Sequence, residues 1–310
     1  MARKELTPRA WLALWSVYVI WGSTYLAIRY VVRTMPPLLT AGVRFLVAGL
    51  VMYTIGVLRG DRTDRPTLAH WRATAIIGTA LCLGGNGLVN LAEARHLASG
   101  TAALIVATIP LWLALFDAIV FRARVRARAI AGLALGFAGA ALLVRPGGAI
   151  EVRAALYVVA AAATWAAGSL YARRAPLPAR PAVSSGMEMI CGGVALVVAG
   201  IASNELSRVH PSKFSGASIA GLVYLIVFGS IVAFSAYVWL LRNVRTTIVG
   251  TYAYVNPFIA VLLGYVFVNE RLNATTIVAG AVIVVAVALI VSVGPAPPKQ
   301  ADLGAERIVS

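Results

Sequence analysis

Asn86, Asn90 and Glu93 follow one another at i, i+4 and i+7, and Cys82 stands four residues before Asn86. On a helix, residues at that spacing share one face. Two amides and a carboxylate on one face of an apolar run would wall a wet cavity for a polar solute, or hydrogen-bond to neighbouring helices. Tyr252 and Asn256 repeat the i, i+4 spacing immediately before Pro257. A proline removes one backbone hydrogen bond and frees the carbonyl four residues back, here that of Ala253. Pro110 sits in the middle of its own run in the same way. Aromatic rings with polar handles recur at Trp21 and Tyr25, at Trp165, Ser169 and Tyr171, at Trp112 near Pro110, and at Tyr237 and Trp239 beyond Ser230 and Ser235. Such rings suit amphipathic solutes through stacking and cation–π contact. The competing role is an interfacial aromatic belt, which Trp239 at the end of its run fits.

Two charges lie deeper than any others. Arg44 and Glu188 are each about two turns inside an apolar run. An ionisable group in a membrane segment is costly and marks a functional site by default. Arg44 would bind a substrate carboxylate. Glu188 would be a proton site, with Glu93 as the second candidate. Snorkelling or structural pairing at a helix boundary is the alternative for both charges. Asp117 is expected to pair locally with Arg122 and Arg124.

The elements that must position these groups are membrane helices. Of 310 residues, 60% are hydrophobic and 12% charged, against about 25% charged in ordinary soluble domains. Each crossing helix takes about 20 apolar residues. Ten charge-poor runs recur, at about 10–31, 37–58, 72–92, 97–120, 128–144, 154–172, 181–202, 216–240, 246–268 and 274–293. A soluble globular protein and a disordered chain are both excluded. Short alternating segments of the kind that build an outer-membrane barrel are missing. The first run is retained as a crossing: it is long for a cleavable signal, and Arg29-Tyr30 follows it in place of a small-x-small site. The tail, 294–310, reads as disordered.

The net charge of +16 would suggest nucleic acid in a soluble protein. Here the cations sit in short gaps and read as orientation signals. Most fall in alternate gaps: Arg3, Lys4 and Arg9; Arg59, Arg62, Arg65 and Arg72; Arg122, Arg124, Arg126 and Arg128; Arg173, Arg174 and Arg180; Arg242 and Arg245; Lys299 and Arg307. That bias predicts both termini in the cytoplasm, as an even number of crossings requires. Cys82 and Cys191 both lie in apolar runs and read as small core residues.

The two halves carry related text. At an offset of 147, Pro110 falls on Pro257, Arg95 on Arg242 and Leu142 on Leu289. Gly22-Ser23-Thr24-Tyr25 matches Gly168-Ser169-Leu170-Tyr171, and Arg44 matches Glu188. The expected fold is therefore an all-α polytopic membrane protein of ten transmembrane helices, as two five-helix repeats, 1–147 and 148–293. An odd number of crossings per copy inverts the second copy. Matched positions in an inverted pair lie at opposite depths, so Arg44 and Glu188 need not meet.

WGSTYLAIRY (21–30), AGVRFLVAG (41–49), the mid-run prolines of the fourth and ninth runs and NPFIAVLLGYVFVNERLNATTIVAGAVIV (256–284) together resemble an EamA-type transporter of the drug/metabolite transporter superfamily. The likeness covers about 10–293. The first half departs from it where Arg122-Ala123-Arg124 stands in place of a Glu-Arg turn, which favours a structural role for Glu270-Arg271.

The resulting expectation is a secondary transporter in a bacterial inner membrane, exporting amino acids or similar small amphipathic metabolites by alternating access. Substrate contacts are assigned to Trp21, Tyr25, Arg44, Asn86, Asn90, Trp112, Trp165, Ser169, Tyr237, Tyr252 and Asn256. A drug-efflux pump on the same fold is the nearest alternative, ahead of a membrane enzyme or lipid-handling scaffold. The partners are a small-molecule substrate and the bilayer, with no nucleic acid; monomer and oligomer both remain open. His70, His96 and His210 lack metal-ligand spacing and no phosphate-binding loop is present, so no metal, cofactor or catalysis is expected. Helices eight and nine lack the cations that a sugar-phosphate carrier would need.

Overall fold

The computed structural model describes residues 7–59, 65–121, 127–144, 151–244, 246–249, 251–270 and 273–292. The tail 294–310, the junction at 147–148 and Arg122 to Arg126 lie outside the described residues. Among the described residues the chain is helical, without a strand.

The helical stretches among the described residues are numbered in chain order. Helices α1 (Pro8–Val31) and α2 (Pro37–Leu58) are regular. Helix α3 (Leu68–Ala94) contains a π-helical stretch, Thr79–Gly87. Helix α4 comprises Ser99–Val106 and Ile109–Phe121. Helices α5 (Ala127–Val144), α6 (Val152–Ala172) and α7 (Pro181–Ala202) follow. Helix α8 runs through Gly216–Tyr224, a second π stretch at Leu225–Val232, and Ala233–Asn243. Helix α9 comprises Thr246–Val249 and Tyr252–Val268, and α10 is Ala274–Ser292. Seven of these are long and apolar enough to cross a membrane; the apolar parts of α5, α9 and α10 are shorter.

Local chemistry sets the starts. Thr7 caps α1, its hydroxyl accepting from the Ala10 N–H at 3.3 Å, and Pro8 fixes the first turn. Prolines also open α2 and α7, where a missing N–H costs nothing. Thr67 and His70 form a capping box at α3. Helix α4 breaks at Ala107-Thr108, one residue before Ile109-Pro110. Asn269 ends α9 at a φ of 52°.

Helices α2 and α7 form the most extensive pairing in the molecule, and α5 and α10 form another. Glycine brings α2 and α7 backbone to backbone. A Cβ on Gly42 would lie 3.1 Å from the Gly193 carbonyl oxygen, and one on Gly49 would lie 2.9 Å from that of Gly186. Residue numbers rise along one helix as they fall along the other, so the pair is antiparallel. Around it, α1 packs on α8 and α9 while α6 packs on α3 and α4. The outer surface stays apolar, with Leu12, Leu50, Leu58, Ile119, Phe258 and Phe267 all exposed. Continuous greasy surface of this kind belongs against lipid.

The Gly84-Gly85-Asn86-Gly87 cluster serves packing. Side chains there would strike Thr164 (2.8 Å), Trp165 (2.6 Å) and Leu196 (2.8 Å). Asp117 pairs with Arg173 across a 3.3 Å contact; the expected partners Arg122 and Arg124 lie outside the described residues. Arg173 reaches it because α4 and α6 are packed neighbours, which local spacing along the chain does not reveal.

Candidate functional site

A central cleft of about 150 Å³ is bounded by residues of α1, α2, α3, α4, α6, α7, α8 and α9. Its wall carries Trp21, Thr24 and Tyr25 from α1, Arg44 and Phe45 from α2, Cys82 and Asn86 from α3, Trp165 from α6, Glu188 from α7, Ser230 from α8, and Tyr252 and Asn256 from α9. The wall is thus apolar and aromatic, with one guanidinium, one carboxylate and a few amides and hydroxyls. That composition is usual for a site that orients a small molecule.

Arg44 and Glu188, expected at separate depths, open onto this one cavity. No ion pair joins them. The Arg44 Nε donates to Ser230 Oγ at 2.9 Å, and its guanidinium lies 4.7 Å from the centre of the Phe45 ring. Its Nη1 is buried and finds no partner among the described residues. Glu188 Oε1 accepts from Ser184 Oγ at 3.1 Å.

The π stretches explain two features of the wall. A π turn disturbs the regular i→i−4 ladder and often marks a functional position. In α8, the Trp21 Nε1–H donates to the carbonyl of Gly229 at 3.1 Å. In α3, the Asn86 amide donates to the Leu81 carbonyl (3.3 Å) and the Asn90 amide to the Asn86 carbonyl (2.8 Å). Along α3 the wall runs through Cys82, Gly85, Asn86 and Val89. Cys82 and Asn86 reach the cavity, while Asn90 is 2% exposed and off the wall.

Other expected contacts are placed as follows. Tyr237 stands behind the wall, its ring 5.0 Å from Trp21 and 5.7 Å from Tyr252, and Trp21 and Tyr252 lie 5.3 Å apart. Asn256 is wedged by the carbonyls of Tyr18 (3.3 Å) and Tyr252 (3.1 Å), toward which its NH2 is turned. Pro257 follows it inside α9, and Pro110 stands next to the lining residue Ile109. Trp112 is off the wall. It packs on Phe116 and Phe137, with ring centres at 5.7 and 4.9 Å. Ser169 is half-buried and likewise off the wall. Glu93 lies one turn past Val89, 1% exposed, and neither carboxylate oxygen has a partner among the described residues. Arg29 Nη1 donates to its backbone carbonyl at 3.2 Å.

Sequence reasoning missed the role of Glu205, and it gave Glu270 a structural role without naming what the carboxylate holds. Glu205, 2% exposed, accepts from the N–H groups of Leu38 (3.0 Å) and Leu39 (2.9 Å) at the start of α2. Glu270 accepts from the Ser99 N–H (2.8 Å), the Ser99 hydroxyl (2.9 Å) and the Gly100 N–H (3.2 Å) at the start of α4. Each carboxylate satisfies orphan donors of a helix distant in sequence, where the helix dipole also favours negative charge. Neither helix has a side-chain cap of its own; that unmet need was the available signal. Glu270→Ala is expected to cost about 1–2 kcal/mol, read as a lower melting temperature of the detergent-solubilised protein, while Glu270→Gln recovers part of it.

Together these features define a multi-pass helical membrane protein with an internal binding cleft. The EamA-like transporter family model matches the chain twice, over 9–145 and 152–292. The chain belongs to the EamA-like transporter family. It is 40% identical over 280 residues to the uncharacterized inner membrane transporter YedA of Escherichia coli (strain K12), covering 90% of this chain and 89% of that protein. It is also similar to the WAT1-related chloroplastic protein At3g02690 of Arabidopsis thaliana, at 24% identity over 92% of this chain and 70% of the relative. Protein PecM of Dickeya dadantii (strain 3937) is 24% identical over 84% of each chain. One solved crystal structure superposes with a TM-score of 0.61 at 23% identity, over 90% of this chain and 95% of the other, which establishes a shared fold.

Proposed function

We propose that this chain is a secondary transporter of a bacterial inner membrane that exports amino acids or similar small amphipathic metabolites by alternating access. The carrying observation is the shared cavity of Arg44 and Glu188, two opposite charges left unpaired beside Trp21, Trp165 and Tyr252. Charged groups kept apart in an apolar cleft suit a solute bearing both signs. In this reading Arg44 takes the carboxylate, Asn86 and the tyrosine hydroxyls take polar groups, and the aromatic rings take the apolar part.

Ten crossings, two inverted five-helix repeats and cytoplasmic termini complete the reading. Its supports are the π stretches at corresponding places in α3 and α8, the broken α4 and α9, and the reciprocal packing of α1 and α6. Rocking of the two halves about the central site would then alternate access.

The test is counterflow of labelled amino acids in proteoliposomes. Wild type is expected to exchange them, with Asn86→Ala and Tyr252→Ala each reduced roughly tenfold, the scale of one lost hydrogen bond to a charged group. Absence of exchange by folded wild type would reject the amino-acid assignment. Drug efflux on the same fold gains support from the Trp21, Tyr237 and Tyr252 ring cluster; resistance to cationic dyes on expression would mark it.

Glu93 is assigned the proton. A buried carboxyl group with neither oxygen engaged can gain and release a proton without breaking another contact. Glu93→Gln is expected to keep exchange while removing the response to an imposed pH gradient. A wild type indifferent to that gradient would rule out coupling.

A further inference from the structure

Buried polar atoms of opposite kind are left unused near one another where α1 and α3 end. Neither carboxyl oxygen of Glu93 is engaged, and the Nε of Arg29 has no partner among the described residues. Arg29 is nevertheless seated on that turn. Its Nη1 donates to the backbone carbonyls of Glu93 at 3.2 Å and Leu97 at 3.4 Å. These carbonyls lie at and just past the end of α3, where the helix dipole favours a cation. Covalent geometry keeps a glutamate carboxyl within about 6 Å of its own backbone oxygen. The guanidinium thus stands beside a carboxyl to which it is not bonded, and among the described residues no ion pair joins the two.

The other charged groups around this turn are committed elsewhere. The fields of Glu270 and Arg29 both reach the Glu93 carboxyl, but Glu270 is spent on Ser99 and Gly100. Arg95 contacts Glu151 at 3.5 Å and lies over the Tyr157 ring of α6 at 5.4 Å. Arg44 of α2 is tied to Ser230. His96 and Arg153 are exposed. Tyr25, one turn before Arg29, lies in the field of Glu93. It lines the cleft, as does Val89, one turn before Glu93. Arg29 and Glu93 therefore sit one helical turn behind the cleft wall, on two helices that help to form it.

We infer that Arg29 is the counter-charge of the Glu93 proton cycle. An ionised carboxylate buried beside a free guanidinium donor would bond to it, because leaving both unpaired is costly. The arrangement here is that of a neutral carboxyl, with the cation parked on the carbonyls of Glu93 and Leu97. When the proton leaves for the cleft past Tyr25, the carboxylate draws the guanidinium off those carbonyls. An ion pair then replaces two bonds to neutral acceptors. The exchange re-seats the end of α1 on the end of α3, so Tyr25 and Val89 of the wall feel whether the proton is present. Arg29 is a positioning residue in this scheme and touches no substrate. The inference rests on the proposed proton coupling through Glu93 and names the group that turns it into movement.

The experiment compares exchange of labelled amino acids with their accumulation under an imposed pH gradient, using the full chain in proteoliposomes. Arg29→Gln is expected to exchange within about threefold of wild type and to lose gradient-driven accumulation about tenfold. Arg29→Lys, which keeps the charge, is expected to recover part of that accumulation. A gradient response of wild-type size in Arg29→Gln overturns the inference and leaves Glu93 as the proton site. A wild type indifferent to the gradient, or a Glu93→Gln variant that still responds, overturns the proton reading beneath it as well. A second measurement needs neither substrate nor a folded Arg29 variant. Infrared difference spectra between low and high pH are recorded on wild type carrying isotope-labelled arginine, beside Glu93→Gln. A carboxyl band and a guanidinium band are expected to change together in wild type, and both changes to vanish in Glu93→Gln. A Glu93-dependent carboxyl change with no accompanying guanidinium change overturns the inference alone, and no Glu93-dependent carboxyl change overturns both.

Discussion

Replacing Arg44 with alanine is expected to raise the half-saturating substrate concentration roughly 10- to 100-fold, corresponding to about 1.5–3 kcal/mol for a charge-assisted hydrogen bond. The guanidinium is only 5% exposed, yet it opens onto the cavity and its Nη1 has no protein partner among the described residues. A donor buried without a partner is costly, and a carboxylate arriving at that atom relieves the cost. Arg44→Lys keeps the charge and loses the planar fork, so it recovers only part of the affinity. The measurement pairs counterflow kinetics with a melting curve. If Arg44 were only a tether between α2 and α8 through Ser230, the alanine variant would melt earlier and retain its kinetics.

The second large effect concerns folding. Gly49→Val is expected to prevent stable assembly, or to lower stability by more than the usual 1–3 kcal/mol of an overpacked core. Its Cβ would lie 2.8 Å from the Ile190 backbone nitrogen and 2.9 Å from the Gly186 carbonyl oxygen. Backbone atoms cannot rotate away as a side chain can, so the helices must separate. Gly78 is constrained in the same way by the Glu188 carbonyl. Gly216→Ala is the matched control. Nothing lies within 4 Å of the added atom, and the change should stay within about 0.5 kcal/mol. Size-exclusion profiles and melting temperatures in detergent distinguish these outcomes.

Much of this architecture is legible in the sequence because lipid enforces long apolar runs. The runs read at 37–58 and 181–202 coincide with Pro37–Leu58 and Pro181–Ala202. Trp21, Tyr25, Arg44, Asn86, Trp165, Glu188, Tyr252 and Asn256 stand out as polar or aromatic groups in those runs, and all lie on the cleft wall. Asn90 and Trp112 stood out equally and are not there, because helix orientation decides which face a residue occupies. In α3 the wall follows Cys82, Gly85, Asn86 and Val89, so Asn90 falls at the edge of that stripe, where its amide turns to the Asn86 carbonyl. Thr24, Met189 and Phe234 line the cleft as ordinary members of apolar runs, so nothing in their type set them apart. Glu205 and Glu270 act on helices 166 to 171 positions away in the chain. Such pairings exist only once the helices have packed.

The glycine contact between α2 and α7 has a mechanical consequence. Two backbones that already touch leave no compressible filling between them. Such a seam resists spreading but tolerates a small roll, as a fulcrum does. Under the proposed rocking motion, widening one mouth of the cleft would narrow the other through the same lever. Exclusion of a continuous leak would then follow from hard-sphere geometry at Gly42, Gly49, Gly186 and Gly193, with no dedicated door required.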